Sequence, residues 1–148
     1  MGVGPERPQS AGFGPILAGV SVSVGLDELH QCIDACGPRA FLVTVSEGGV
    51  PHVVSVVVHR EDDAMAFETG RTSRANLRAR PTATLLWPPG PLDTADSLDG
   101  EYSLIVDGQA DLADDGDRVT LHPSAAVLHR IAGSAGDGPG CIPVLPRD

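Results

Sequence analysis

The chain has no lysine. All ten basic side chains are arginines, set against twenty Asp and Glu, so the formal net charge over 148 residues is -10. Without lysine there can be no Schiff-base chemistry and no P-loop lysine gripping a phosphate. A G-x-S-x-G elbow is also missing. The acidity argues against nucleic acid as a partner, because neutralising phosphates takes a broad basic surface. It argues equally against anionic membrane surfaces. Aromatics are scarce, at one Trp, one Tyr and three Phe, which leaves valine and alanine to fill most of the core. No run reaches the roughly 18 apolar residues of a membrane span. The apolar stretch from Phe13 to Val24 is broken by Gly14, Pro15 and Gly19, and no basic segment sits immediately before it. It does not read as a signal peptide, and the cytoplasm is the expected location.

Cysteine is scarce too. Cys32, Cys36 and Cys141 form an odd set with no C-x-x-C. Cys32 and Cys36 lie one helical turn apart and read as core thiols in a reducing compartment, since a zinc site wants four well-spaced ligands. No metal site is expected. His52 and His59 are an odd number apart, as are His122 and His129, so each pair falls on opposite faces of a regular strand. Core or surface roles are expected for all of them. No residue is identified as catalytic.

Against this background the segment Phe67-Glu68-Thr69-Gly70-Arg71-Thr72-Ser73-Arg74-Ala75-Asn76-Leu77-Arg78-Ala79-Arg80-Pro81 stands apart. Four of the ten arginines fall between Arg71 and Arg80 with no acid among them, and Asn76 is the only asparagine. The apolar lead-in Ala64–Phe67 predicts a strand, Gly70 a sharp turn, Thr72 or Ser73 a helix cap, and Pro81 the stop. A helix start among arginines is an anion site in outline, because free N–H groups and the helix dipole converge there. Arginine adds two-pronged phosphate recognition. A solvated helix face is the plainer reading of the same run.

The rest of the chain is read in order. Residues 1–23 are rich in Gly, Pro and Ser and predict a flexible arm. Leu26, Leu29, Ile33 and Cys36 mark one face of a helix that Gly37-Pro38 ends. Strands are predicted over Arg39–Ser46, Val50–Arg60, Ala64–Thr69, Thr82–Trp87, Tyr102–Leu112 and Val119–Leu128. The valines of 53–58 predict a strand buried on both faces. Residues 24–131 make one domain, and 132–148 a loose Gly- and Pro-rich tail with a docking point at Ile142, Val144 and Leu145. The expected architecture is mainly β: a six-stranded antiparallel barrel with one or two short helices.

The order of elements, the run "TGRTSRANLRARP", the strand ending "LLW" and the late strand "YSLIVDGQADL" resemble the pyridoxamine 5′-phosphate oxidase-like split β-barrel family. The resemblance covers roughly residues 26 to 130. It implies a homodimer with FMN, or the deazaflavin coenzyme F-420, in a groove between two barrels. It further implies that Thr69, Arg71, Thr72, Ser73 and Arg74 lie at the cofactor phosphate, with Asn76 close by. Val54, Ser55 and Val56 would line the ring system, and Trp87 would either cover the ring or serve as core. Two departures matter: this helix has no lysine, and the chain ends soon after Arg130, without an arginine-bearing substrate segment. Pyridoxamine phosphate is therefore not the implied substrate. The expected function is hydride transfer between FMN or F-420 and a small molecule. The alternative is a non-catalytic barrel that binds flavin, haem or a related tetrapyrrole.

Overall fold

A computed structural model describes residues 26–89, 102–130 and 141–145. The expected arm, the acidic stretch before Tyr102 and most of the expected tail lie outside the described residues.

Helix α1 (Leu26–Cys36) buries Leu29, Cys32 and Ile33 along one stripe, and Asp27 and Glu28 sit in its first turn, where the dipole favours acids. Gly37 ends it at φ 89, a conformation that suits glycine, and its N–H donates to Ile33 O at 2.9 Å. Strand β1 (Arg39–Val45) then alternates, with Ala40, Leu42 and Thr44 buried. A tight turn at Gly48-Gly49 returns it as β2 (Pro51–Val57), paired antiparallel so that Phe41 faces Ser55 and Thr44 faces His52.

The chain continues through β3 (His59–Glu61), β4 (Ala64–Glu68), helix α2 (Arg71–Ala79), β5 (Thr82–Trp87), β6 (Tyr102–Leu112), β7 (Arg118–Arg130) and β8 (Cys141–Leu145). The described strands form one antiparallel sheet in the order β2-β1-β5-β6-β7-β4-β3, with β8 added alongside β7. Its two end strands, β2 and β3, are consecutive in the chain and joined by Val58 alone. The sheet must therefore curl until its ends meet. β2 forms ladder hydrogen bonds with β1 only, so a split runs between β2 and β4. This is a split barrel.

All six expected strands are present. The strand expected over Val50–Arg60 is broken at Val58 into β2 and the three-residue β3, and the sheet gains β8, which at five residues is too short to leave a period in the sequence. β8 lies inside the segment expected to be a loose tail, where Ile142 and Val144 are buried. The β6–β7 ladder shifts register between Asp107 and Gly108. A Cβ on Gly108 would come within 2.5 Å of His122 O, so only glycine lets the two backbones approach.

Leu42, Leu85, Leu104, Val106, Leu121 and Phe67 fill the interior. Trp87 joins them at 1% exposure, and its Nε1–H donates to Gly37 O at 2.8 Å. The expectation that 53–58 is covered on both faces is corrected. Val56 and Val58 are buried, but Val53 and Val57 are 55% and 49% exposed in the single chain. β2 is the edge of the sheet, and Val53 and Val57 on its outer face have no cover among the described residues.

Candidate functional site

Helix α2 starts at Arg71, and its N-cap is Gly70, in extended backbone (φ -78, ψ 179) with no side-chain cap. This corrects the expected cap at Thr72 or Ser73, which fall instead inside the first turn. It also corrects the sharp turn expected at Gly70. The first intrahelical bond is Arg74 N–H to Gly70 O, at 3.1 Å. The N–H groups of Arg71, Thr72 and Ser73 precede that bond and have no intrahelical acceptor. Normally a Ser, Thr, Asp or Asn cap side chain would take one of them.

A cavity of about 420 Å³ lies over this helix start, in the split between β2 and the β4–α2 junction. His52, Val54 and Ser55 line one side. Glu68, Thr69, Gly70, Arg71, Thr72 and Ser73 line the other, and Asp117 from the β6–β7 turn closes it. The hydroxyls of Thr69 and Ser73 are buried without any hydrogen-bond partner. These residues are only 7% and 1% exposed. A buried hydroxyl left unpaired costs about 1–3 kcal/mol. Two of them, together with three free N–H groups at an uncapped helix start, form a donor set without an acceptor. The oxygens of an anion match such a set.

The β2 wall contributes backbone. Val58 N–H donates to Pro38 O and Ser46 N–H to Val50 O. Stepping along the ladder by two from these pairs, His52, Val54 and Val56 exchange hydrogen bonds with β1. Val53, Ser55 and Val57 therefore turn their N–H and C=O groups to the free edge. At Ser55 that edge borders the cavity.

Of the ten residues expected at a cofactor, six line the cavity: Val54, Ser55, Thr69, Arg71, Thr72 and Ser73. Four do not. Val56 is buried in the core. Asn76 is buried and donates from Nδ2 to Thr44 Oγ1 at 3.0 Å, tying α2 to β1. Trp87 is core, the second of its two expected roles. Arg74 stands behind the wall: its Nη1 donates to Gly116 O at 2.8 Å and pairs with Asp117 at 3.1 Å. Thr69 N–H also donates to Asp117 O, at 3.1 Å. The β6–β7 turn is thus latched onto the start of α2 by Arg74. Arg71 has no ion pair among the described residues, and it is the arginine on the cavity.

His52, Glu68 and Asp117 were not expected at a site. His52 was within reach of sequence reasoning, since it is two residues from Val54 and must share its strand face. Asp117 was not, because its contact with Arg74 spans forty-two intervening residues. No group of three or more potential metal ligands occurs among the described residues. No described helix is long and apolar enough to cross a membrane.

No family model matches the chain. Curated relatives exist in Mycobacterium bovis and Mycobacterium tuberculosis, both uncharacterized proteins. Each is 38% identical over 125 aligned positions, covering 71% of this chain and 81% of the relative. Among solved structures, a heme-binding protein from Mycobacterium smegmatis superposes with a TM-score of 0.56 at 16% identity, covering 77% of this chain and 57% of that one. A protein of the pyridoxinephosphate oxidase family from Clostridium acetobutylicum, related to a general stress protein, gives 0.51 at 13% identity, covering 71% and 87%. At such identities these likenesses establish the shared fold.

Proposed function

We propose that the chain, a relative of the two mycobacterial proteins with the fold of the pyridoxamine 5′-phosphate oxidase-like split barrels, is an FMN- or F-420-dependent oxidoreductase. The observation that carries this reading is the pair of buried, unpartnered hydroxyls of Thr69 and Ser73 at the uncapped start of α2. A cofactor phosphate is the acceptor they lack. Arg71 sits beside it with its guanidinium free of other ion pairs, and Thr72 adds a further donor. The free edge of β2 at Ser55 offers one N–H and one C=O to the polar rim of a planar ring, while Val54 gives that ring an apolar surface. A flavin or deazaflavin supplies hydride chemistry through its own ring, so the protein need only position it and set its electrostatics. That suits a cavity without a nucleophile–base pair.

The proposal includes a homodimer. Val53 and Val57 on β2 and Phe41 on β1 form an exposed apolar face next to the cavity. A second copy of the chain is the occupant that would also close the cavity over a ring, and an isologous contact covers both faces at once. All three cysteines are free, which fits a reducing cytoplasm.

One observation favours a second reading, a haem- or tetrapyrrole-binding protein: His52 on the cavity wall offers an imidazole to a metal. The structural neighbour from M. smegmatis is named for heme binding. Titration with FMN, F-420 and hemin in parallel, followed by absorption, separates the two. Saturable shifts of the flavin or deazaflavin band, with reduction of the bound cofactor by a substrate, support the first. A Soret band at one hemin per chain, lost in His52→Ala, supports the second and overturns the first if FMN and F-420 fail to bind.

A further inference from the structure

Three buried side-chain polar atoms among the described residues have no hydrogen-bond partner: Thr69 Oγ1, Ser73 Oγ and Arg74 Nε. All three fall at the β4–α2 junction, and the turn between β6 and β7 rests on two of these residues. Thr69 N–H donates to Asp117 O at 3.1 Å. Arg74 Nη1 donates to Gly116 O at 2.8 Å and pairs with Asp117 at 3.1 Å. The turn has little else to hold it down. Asp114, Asp115, Gly116 and Asp117 are all exposed and add nothing to the core. The Asp117 side chain is itself 60% exposed, so its ion pair is of the weak, solvent-screened kind. A segment held by so few exposed contacts opens locally at small cost.

Thr69 ties this turn to the cavity. Its N–H holds the turn, while its hydroxyl, in a residue that lines the cavity, has no acceptor. With the cavity empty, the docked turn keeps unsatisfied donors away from water, a cost that lifting the turn relieves. An occupant that accepts from Thr69 and Ser73 removes that cost and leaves the docked position favoured. One turn with two positions, biased by what the cavity holds, is a two-state element. We propose that the β6–β7 turn, residues 113–117, is a strap over the start of α2, loosely docked while the cavity is empty and locked down when an anion fills it, so that it slows the anion's release. This rests on the anion reading of the α2 start and adds to it a moving part that the reading does not use.

The test follows the Thr69 amide by hydrogen exchange with NMR detection, using FMN and inorganic phosphate as probes. Gly49 N–H, which donates to Ser46 O at 2.8 Å in the β1–β2 turn, is the reference. Saturating FMN should slow Thr69 exchange by at least about fivefold, the low end of coupling between two sites, and leave Gly49 unchanged. Inorganic phosphate should act in the same direction. Arg74→Ala and, as a second break in the latch, Asp117→Asn should each speed Thr69 exchange in the empty protein. In stopped-flow fluorescence FMN should leave Arg74→Ala about threefold faster, within the worth of one exposed ion pair, with its association rate unchanged. Asp115→Asn removes an equal charge from the same turn, outside the latch, and should alter neither readout. Equal Thr69 exchange in the empty and the FMN-saturated protein overturns the strap and leaves the anion reading standing. Faster release from Arg74→Ala with Thr69 exchange unaltered also overturns it, since Arg74 would then hold the anion directly. If neither probe binds, the anion reading itself falls, and the strap with it.

Discussion

Replacing Gly70 by Asp should strengthen the free protein and weaken the loaded one. Gly70 is the N-cap of α2, its φ of -78 suits any residue, and a Cβ there meets nothing within 4 Å. An Asp side chain therefore fits without strain and can accept from the free N–H groups of Thr72 or Ser73. Changing a glycine cap to aspartate is worth a few tenths of a kcal/mol, and the helix dipole adds roughly 0.3–1. The cofactor-free variant should thus be about 0.5–1 kcal/mol more stable and melt about 2–5 °C higher. The same carboxylate occupies the donors a phosphate needs and repels it. Unit charges about 4 Å apart interact by about 4 kcal/mol at an effective dielectric of 20. Halved for solvent screening, that is ~2 kcal/mol, or about thirtyfold in Kd. At an FMN concentration of 100 times the wild-type Kd, ligand stabilisation is about 2.7 kcal/mol for wild type but only ~0.9 for the variant. The order of melting temperatures should then reverse, with wild type ahead by about 1 kcal/mol. Paired thermal melts with and without FMN, plus a fluorescence titration, measure all of this. A Gly70→Asp protein that binds FMN like wild type would refute the placement of a phosphate at this helix start. One that melts lower without ligand would refute the uncapped geometry.

Other outcomes follow from the same geometry. Arg71→Ala should weaken FMN binding by about tenfold with an unchanged melting temperature, since Arg71 lines the cavity and makes no ion pair among the described residues. Arg74→Ala should instead lower stability by about 0.5–1 kcal/mol, the scale of an exposed ion pair, and affect affinity less; equal effects on affinity would blur the division of labour between the two arginines. Val53→Asp should leave the fold intact and shift the protein from dimer to monomer in light scattering; a wild type that is monomeric at micromolar concentration removes the second-copy account of the β2 face. Burial pushes the Cys36 thiol up to about 11 and Cys32 higher still. With Cys141 exposed, Ellman's reagent at pH 8 should find one fast thiol natively and three after denaturation. Because both buried thiols have folded-state values raised above the unfolded ones, the stability they contribute is complete below the ordinary thiol range and declines as pH rises towards about 11, which urea melts at pH 8 and pH 10.5 would detect.

Much of the fold was legible because its signals are local. α1 follows from Leu26, Leu29 and Ile33, and β5 from the alternation of Ala83, Leu85 and Trp87. That alternation also places Trp87 with the core, a stronger indication than its aromatic chemistry. The run that lines the cavity was legible as Thr69 to Ser73, because free N–H groups and hydroxyls cluster there in sequence. The division of labour among the arginines was not. Arg74 turns away from the cavity because the acidic turn at Gly116 and Asp117 folds back onto it, a contact that no local pattern encodes. The valine run misled for a related reason. Continuous apolar residues mark a strand covered on both faces, but the exposed edge strand β2 carries the same pattern. Glu68 and Asp117 reached the cavity through the β4–β7 pairing, in which Glu68 lies opposite Arg118, next to Asp117.

The central claim is that the start of α2 holds a cofactor phosphate, and the most direct measurement compares FMN with riboflavin, which differ only in that group. Isothermal titration of wild type with each should give FMN an affinity at least about a hundredfold higher, the worth of two charge-assisted hydrogen bonds. The advantage should shrink towards unity in Gly70→Asp. Equal affinities for FMN and riboflavin in wild type would contradict the account.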